Sequence, residues 1–78
     1  MAIEAYIFIE CTSGRTKDVL SEVRKITGIK SAHAITGSYD IIVLAQANNL
    51  NELGEMIVTK IQAVSGVLRT STSMVVDF

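Results

Sequence analysis

The stretch Ile29-Lys30-Ser31-Ala32-His33-Ala34-Ile35-Thr36-Gly37-Ser38-Tyr39-Asp40-Ile41-Ile42-Val43-Leu44-Ala45-Gln46-Ala47 occupies the middle of the chain and decides how the rest is read. Gly37-Ser38 interrupts two runs with strand character, Ile29 to Thr36 and Tyr39 to Ala47. The second contains Ile41-Ile42-Val43-Leu44-Ala45, a short apolar run rich in β-branched residues. Such runs, bounded by turn residues, read as strands, and a glycine followed by a small polar residue makes a tight hairpin between them. Outward from this hairpin lie two helical patterns. Before it, Val19, Leu20, Val23 and Ile26 share one face of a helix opened by Ser13 or Thr16 and closed by Gly28. After it, Leu50, Leu53, Ile57, Ile61 and Val64 form a stripe; Asn49 and Glu52 make a capping pair and Gly66 ends the helix. Outermost are two more strands. Ala2 to Cys11 alternates Ile3, Ala5, Ile7 and Ile9 against Glu4, Tyr6, Phe8 and Glu10, and Val67 to Phe78 closes the chain.

The order is therefore β-α-β-β-α-β, and Gly28-Ile29 and Gly66-Val67 follow the two helices half a chain apart. This predicts an α+β, ferredoxin-like fold: a four-stranded antiparallel sheet with both helices on one face. Residues 1–78 are expected to form one domain, since the length leaves no room for a second. An antiparallel sheet with one wet face should alternate apolar and polar residues. Ile41 to Ala45 is apolar on both faces, and Tyr6 and Phe8 point away from Ile7 and Ile9. The second apolar face needs a cover, and a second copy is the simplest one, so a dimer packed through its open sheet faces is expected.

Composition narrows the function. Of 78 residues, 49% are apolar and 19% charged, with a formal net charge of −1. The apolar content excludes disorder, and a slightly acidic chain is a poor partner for nucleic acid. No apolar run approaches the roughly 20 residues of a membrane span. The opening Met1-Ala2-Ile3-Glu4 lacks the pattern of a secretory leader. One cysteine and no export signal point to the cytoplasm. A single cysteine and a single histidine leave no metal site to expect, and no cofactor motif is present.

Five places carry polar chemistry. Cys11 has no second cysteine beside it and reads as a buried structural thiol. His33 stands alone in a strand, a surface group rather than a catalytic base. Ser13-Gly14-Arg15-Thr16-Lys17 lacks phosphate-loop spacing and reads as a solvated helix start. Thr36-Gly37-Ser38-Tyr39-Asp40 offers glycine-freed N–H groups, an amphipathic ring and a carboxylate, which together match the two charged ends of an α-amino acid. A turn carrying a solubilising aspartate explains the same residues equally well. Arg69-Thr70-Ser71-Thr72-Ser73 sets hydroxyls on both faces of the last strand, as a small polar ligand or a plain β-branched strand would use them.

Two of these segments resemble a known family. Thr36-Gly37-Ser38-Tyr39-Asp40 resembles the T/S-G-x-[YF]-D turn of the Lrp/AsnC regulators, and Gly66-Val67-Leu68-Arg69-Thr70-Ser71-Thr72 resembles their G-V-x-x-T-x-T segment. The resemblance covers essentially the whole chain in register, but only the ligand-binding part of the family. The chain opens on the first strand of that part, so it is similar to a stand-alone RAM (regulation of amino acid metabolism) domain without the helix-turn-helix, and direct DNA binding is not expected. The resemblance implies an effector-binding module, not an enzyme. It implies dimers of α/β-barrel-like pairing that assemble further into rings, commonly tetramers of dimers. A free amino acid would bind between dimers, and full-length regulators of the family would be partners. Gly37, Tyr39 and Asp40 match the effector-loop motif and Thr70 and Thr72 the last-strand motif; Ser38 and Ser71 lie within the two motifs, and Ser38 and Ser73 fall at variable positions. The other reading is a small dimeric α/β-barrel enzyme of the monooxygenase or isomerase type, for which His33 and Tyr6 are the candidate groups.

Overall fold

The computed structural model describes residues 2–78; Met1, with which the expected domain and the opening Met1-Ala2-Ile3-Glu4 begin, lies outside them. The elements are β1 (Ile3–Cys11), α1 (Thr16–Val23), β2 (Ile29–Ala34), β3 (Ile41–Ala47), α2 (Leu50–Glu55) running on into a π-helical turn (Met56–Ile61), and β4 (Val67–Met74). The sheet order is β2-β3-β1-β4, with every neighbouring pair antiparallel. This is the ferredoxin-like arrangement that the sequence order predicts. The central hairpin is wider than a two-residue turn. Ile35 N–H donates to the Asp40 carbonyl at 2.8 Å, closing a loop over Thr36 to Tyr39, so β2 stops at Ala34 and β3 begins at Ile41.

The alternation of β1 sorts its side chains between two environments. Ala5, Ile7 and Ile9 have no exposed surface, and neither do their cross-strand partners Ala45, Val43 and Ile41. Val19 and Val23 from α1 join Leu53, Met56 and Ile61 from the second helix in covering that face. Each fully buried aliphatic side chain here contributes roughly 1.5–3 kcal/mol relative to exposure.

Local chemistry sets the helix ends. The Asn49 side chain accepts the Glu52 N–H at 2.9 Å, as expected, and the Glu52 carboxylate reaches back to Asn48. At α1 neither Ser13 nor Thr16 caps: Arg15 holds the cap position without a side-chain bond to the helix N–H groups, and its guanidinium pairs with Asp18 at 3.2 Å. Gly28 and Gly66 both have positive φ, +97° and +103°, at the entries to β2 and β4. A Cβ at Gly66 would stand 2.9 Å from Val19 Cγ2 and from Arg15 Cβ, so the glycine lets α1 sit close against the start of β4. The second helix departs from α-periodicity. Gln62 N–H donates to the Ile57 carbonyl, five residues back, at 2.8 Å. That extra residue steps the buried positions from Met56 to Ile61, and the buried stripe begins at Leu53, leaving Leu50 66% exposed.

The other face of the sheet is open. Register places Tyr6 beside Leu44 and Ser73, and Phe8 beside Ile42 and Ser71, with Ser31 and His33 on the far edge. Tyr6 is 41% exposed; Phe8, Ile42 and Leu44 are half-buried. The apolar excess noted in the composition therefore has a location.

Candidate functional site

The loop over Thr36 to Tyr39 lies at one end of the sheet, beside the last residues of β1. Gly37 has φ +110°, which favours glycine, and nothing lies within 4 Å of where a Cβ would be. Thr36, Gly37 and Ser38 are exposed, and Tyr39 and Asp40 are half-buried. Asp40 stitches the loop to β1 twice. Its N–H donates to the Ile9 carbonyl at 2.9 Å, and its Oδ2 accepts the Cys11 N–H at 2.7 Å. The carboxylate thus replaces a ladder carbonyl where β3 has left the sheet.

On the other side of β1 the register with β4 slips between Glu10 and Cys11. Glu10 faces Arg69 and Cys11 faces Val67, so Leu68 is the extra residue of a bulge. Cys11 is buried, and burial pushes its thiol above the usual value of 9.0. The Asp40 charge pushes the same way and a hydrogen bond from Thr16 opposes it. Such a thiol is a poor nucleophile at neutral pH.

The Tyr39 ring packs 5.7 Å from Phe8, tilted by 45°, and the Arg69 guanidinium carbon lies 5.4 Å from the Tyr39 centroid. Arg69 Nε is 3.1 Å from Glu10 Oε1. Phe8, Glu10, Tyr39 and Arg69 therefore form one cluster on the open face. Tyr39 is a residue singled out from sequence; Glu10 and Arg69 are not, although an acid in β1 and a base in β4 that meet across an antiparallel pair carry a readable signal.

The predicted hydroxyls divide. Thr70 pairs with Ile9 and Thr72 with Ile7, which puts both on the helix-covered face, while Ser71 pairs with Phe8 on the open face. Thr70 Oγ1 accepts Gln62 Nε2–H at 3.0 Å. Within one chain, Tyr39 and Ser71 lie beside Phe8 on the open face, Thr70 and Thr72 project from the other face, and the Asp40 carboxylate turns to the β1 main chain at Cys11. A groove of about 660 Å³ lies at the opposite end of the sheet, lined by Gly28, Lys30, Ala47, Glu55, Met56 and Lys60 among others. His33 is exposed, paired in register with Ile42. Among the described residues no three His, Cys, Asp or Glu side chains converge as metal ligands.

These features describe a ferredoxin-like module with a polar loop at one end and an apolar face left open. The chain belongs to the Lrp/AsnC ligand binding domain family, whose model matches residues 4–77. A homocitrate synthase of Saccharolobus solfataricus is 42% identical over 74 residues, covering 94% of this chain and 16% of that enzyme, so the chain spans about one-sixth of its length. The Thermus thermophilus protein TTHA0845 superposes with a TM-score of 0.92 at 22% identity, covering 97% of this chain and 95% of that one. A Neisseria meningitidis transcriptional regulator in complex with L-Met superposes with a TM-score of 0.87 at 21% identity, over 96% of this chain and 50% of the regulator. At these identities the two structures share the fold. No helix among the described residues is long and apolar enough to cross a membrane.

Proposed function

We propose that residues 1–78 act as one amino-acid-responsive module that binds a free amino acid between dimers and couples that binding to assembly. The observation that carries this is the division of the motif residues. Gly37, Tyr39 and Asp40 belong to the loop at one end of the sheet, with Tyr39 against Phe8 on the open face, while Thr70 and Thr72 point to the helix side. A ligand touching both groups is, in this reading, held by two subunits. The L-Met complex of a regulator with the same fold supports an amino acid as the effector class.

In this reading Tyr6, Phe8, Ile42 and Leu44 are covered by the open face of a second copy. Dimers then meet, in a tetramer of dimers or a similar ring, so that the loop of one faces β4 of another. N–H groups at Gly37 and Ser38 face the effector, Asp40 Oδ1 accepts its ammonium, and Tyr39 walls its side chain, with hydroxyls of Thr70, Ser71 and Thr72 completing the polar shell. Homologous segments make up 16% of an enzyme and the same fold fills half of a regulator. The module is thus a sensing part that works with different outputs, and mixed assembly with full-length regulators is one of them. The cytoplasm, where free amino acids report on metabolism, is its place of work. The family match supports this reading over the small-enzyme alternative, whose candidate groups are His33, exposed on an edge strand, and Tyr6, on the face a second copy would cover.

Thermal unfolding against the twenty L-amino acids tests the proposal, followed by sedimentation with each one that stabilises. One or a few amino acids should raise Tm and the sedimenting mass together. A Tm indifferent to all of them overturns the effector function.

A further inference from the structure

We propose, resting on the effector function above, that Arg69 is the residue that recognises the amino acid's carboxylate. The polar groups singled out from sequence for that end of the ligand are neutral: loop N–H groups and β4 hydroxyls. Thr70 and Thr72 lie on the helix side of β4, and Thr70 is already bonded to Gln62. Arg69 faces Glu10 at the loop end of the open face, beyond the Tyr6, Phe8, Ile42 and Leu44 patch that a second copy covers, with 62% of its side chain exposed. Two contacts hold it. Its Nε ion-pairs with Glu10 Oε1 at 3.1 Å, and its guanidinium lies over the Tyr39 ring at 5.4 Å. Neither contact takes up the terminal Nη1–Nη2 fork, the edge that receives a carboxylate through two parallel hydrogen bonds.

The surroundings suit that task. The bulge between Glu10 and Cys11 re-aims β4 at this point, as bulges beside binding sites do. Glu10 engages the Nε edge and Tyr39 the flat face, so the guanidinium is oriented before a ligand arrives. An exposed Arg–Glu pair adds little to stability, so stability alone does not account for the arrangement. Asp40 is bonded to Ile9 and Cys11, on either side of the residue that Arg69 faces. A cation and an anion thus flank one short piece of β1, as a zwitterionic ligand requires. Arg69 therefore selects for a free α-carboxylate, and amidated amino acids or peptides extended at that end are rejected.

The test compares each L-amino acid that binds the full chain with its primary amide, by calorimetry, in the wild type and in Arg69→Gln and Arg69→Lys. The wild type should prefer the acid by about ten- to a hundredfold, the range a charge-assisted bond provides. Arg69→Gln should bring acid and amide to within about threefold, and Arg69→Lys, which keeps the charge without the fork, should fall between. A ratio unchanged in Arg69→Gln, with both ligands weakened alike, assigns Arg69 a structural role and overturns the proposal. So does a wild type that binds the amide as well as the acid. If no amino acid binds the wild type, the effector function itself fails and this assignment falls with it.

Discussion

Asp40 has an internal task, its bond to Cys11, and a proposed one toward the ligand, and a pair of substitutions separates them. Asp40→Ala removes the acceptor of the Cys11 N–H, a 2.7 Å bond to a charged, half-buried oxygen. Bonds of that kind are worth about 1.5–3 kcal/mol. The two main-chain bonds of Asp40, to Ile9 and Ile35, do not involve the side chain and survive. The loss is therefore expected near 2 kcal/mol, or about 8–16 °C in Tm for a domain of this size. Asp40→Asn keeps an oxygen acceptor without the charge, and should lose only about 1 kcal/mol. Toward an amino acid the order differs. Both variants lack the negative charge that the proposed site turns to the ammonium, so both should bind about ten- to a hundredfold more weakly. Urea unfolding at one fixed protein concentration reads stability, since assembly shifts the midpoint, and calorimetry reads affinity. An Asp40→Ala midpoint equal to the wild type refutes the stitching of loop to strand, and wild-type affinity in Asp40→Asn refutes the ammonium contact.

Gly66→Ala forces a side chain into a positive-φ position 2.9 Å from Val19 Cγ2 and should cost about 2–4 kcal/mol, measured by denaturant melts. Gly37→Ala, at the same sign of φ but in open space, should cost only the backbone strain of about 1–2 kcal/mol; equal losses at the two sites would contradict the close approach of α1. The raised Cys11 thiol means that above pH 9.0 the unfolded chain loses a proton the folded chain keeps, so stability should fall as pH rises through that value. The decline should be shallower in Cys11→Ala, and a matching decline in the variant rules out the thiol as its source. Leu44→Asp puts a charge in the middle of the open apolar face and should sediment as a monomer at concentrations where the wild type does not; an unchanged mass would place the interface elsewhere.

The element order was legible because its signals are local. Alternation in β1, the Asn49–Glu52 cap and the glycines before β2 and β4 each depend on neighbours a few residues away. The open apolar face was legible for the same reason, since period two assigns Tyr6 and Phe8 to one side whatever their partners. The loop was not. Gly37-Ser38 alone satisfies a tight turn, but the observed width depends on Asp40 bonding to Ile9 and Cys11, residues distant in sequence. The π turn escaped because it leaves the stripe apolar and changes only its step, from Met56 to Ile61. Arg69 escaped because its meeting with Glu10 and Tyr39 depends on a strand register that a bulge has shifted by one residue. Fold was written in short-range periodicity, and the site in long-range register.

That difference bears on how such a module transmits a signal. On the proposed function nothing in the core has to move for an amino acid to act, since Ile7, Ile9, Ile41 and Val43 are fully buried and close-packed interiors resist rearrangement. What a ligand between dimers would change is the free energy of association. A ligand at about a hundred times its Kd adds about 2.7 kcal/mol to whichever assembly holds it, close to a hundredfold in an association constant. A chain of 78 residues with one open apolar face is suited to this, since a second copy is the proposed cover for Tyr6, Phe8, Ile42 and Leu44. On the proposed function the ligand decides only whether dimers join. The output would be set by whatever else the joined chains bring, which fits a homologous segment that makes up 16% of an enzyme.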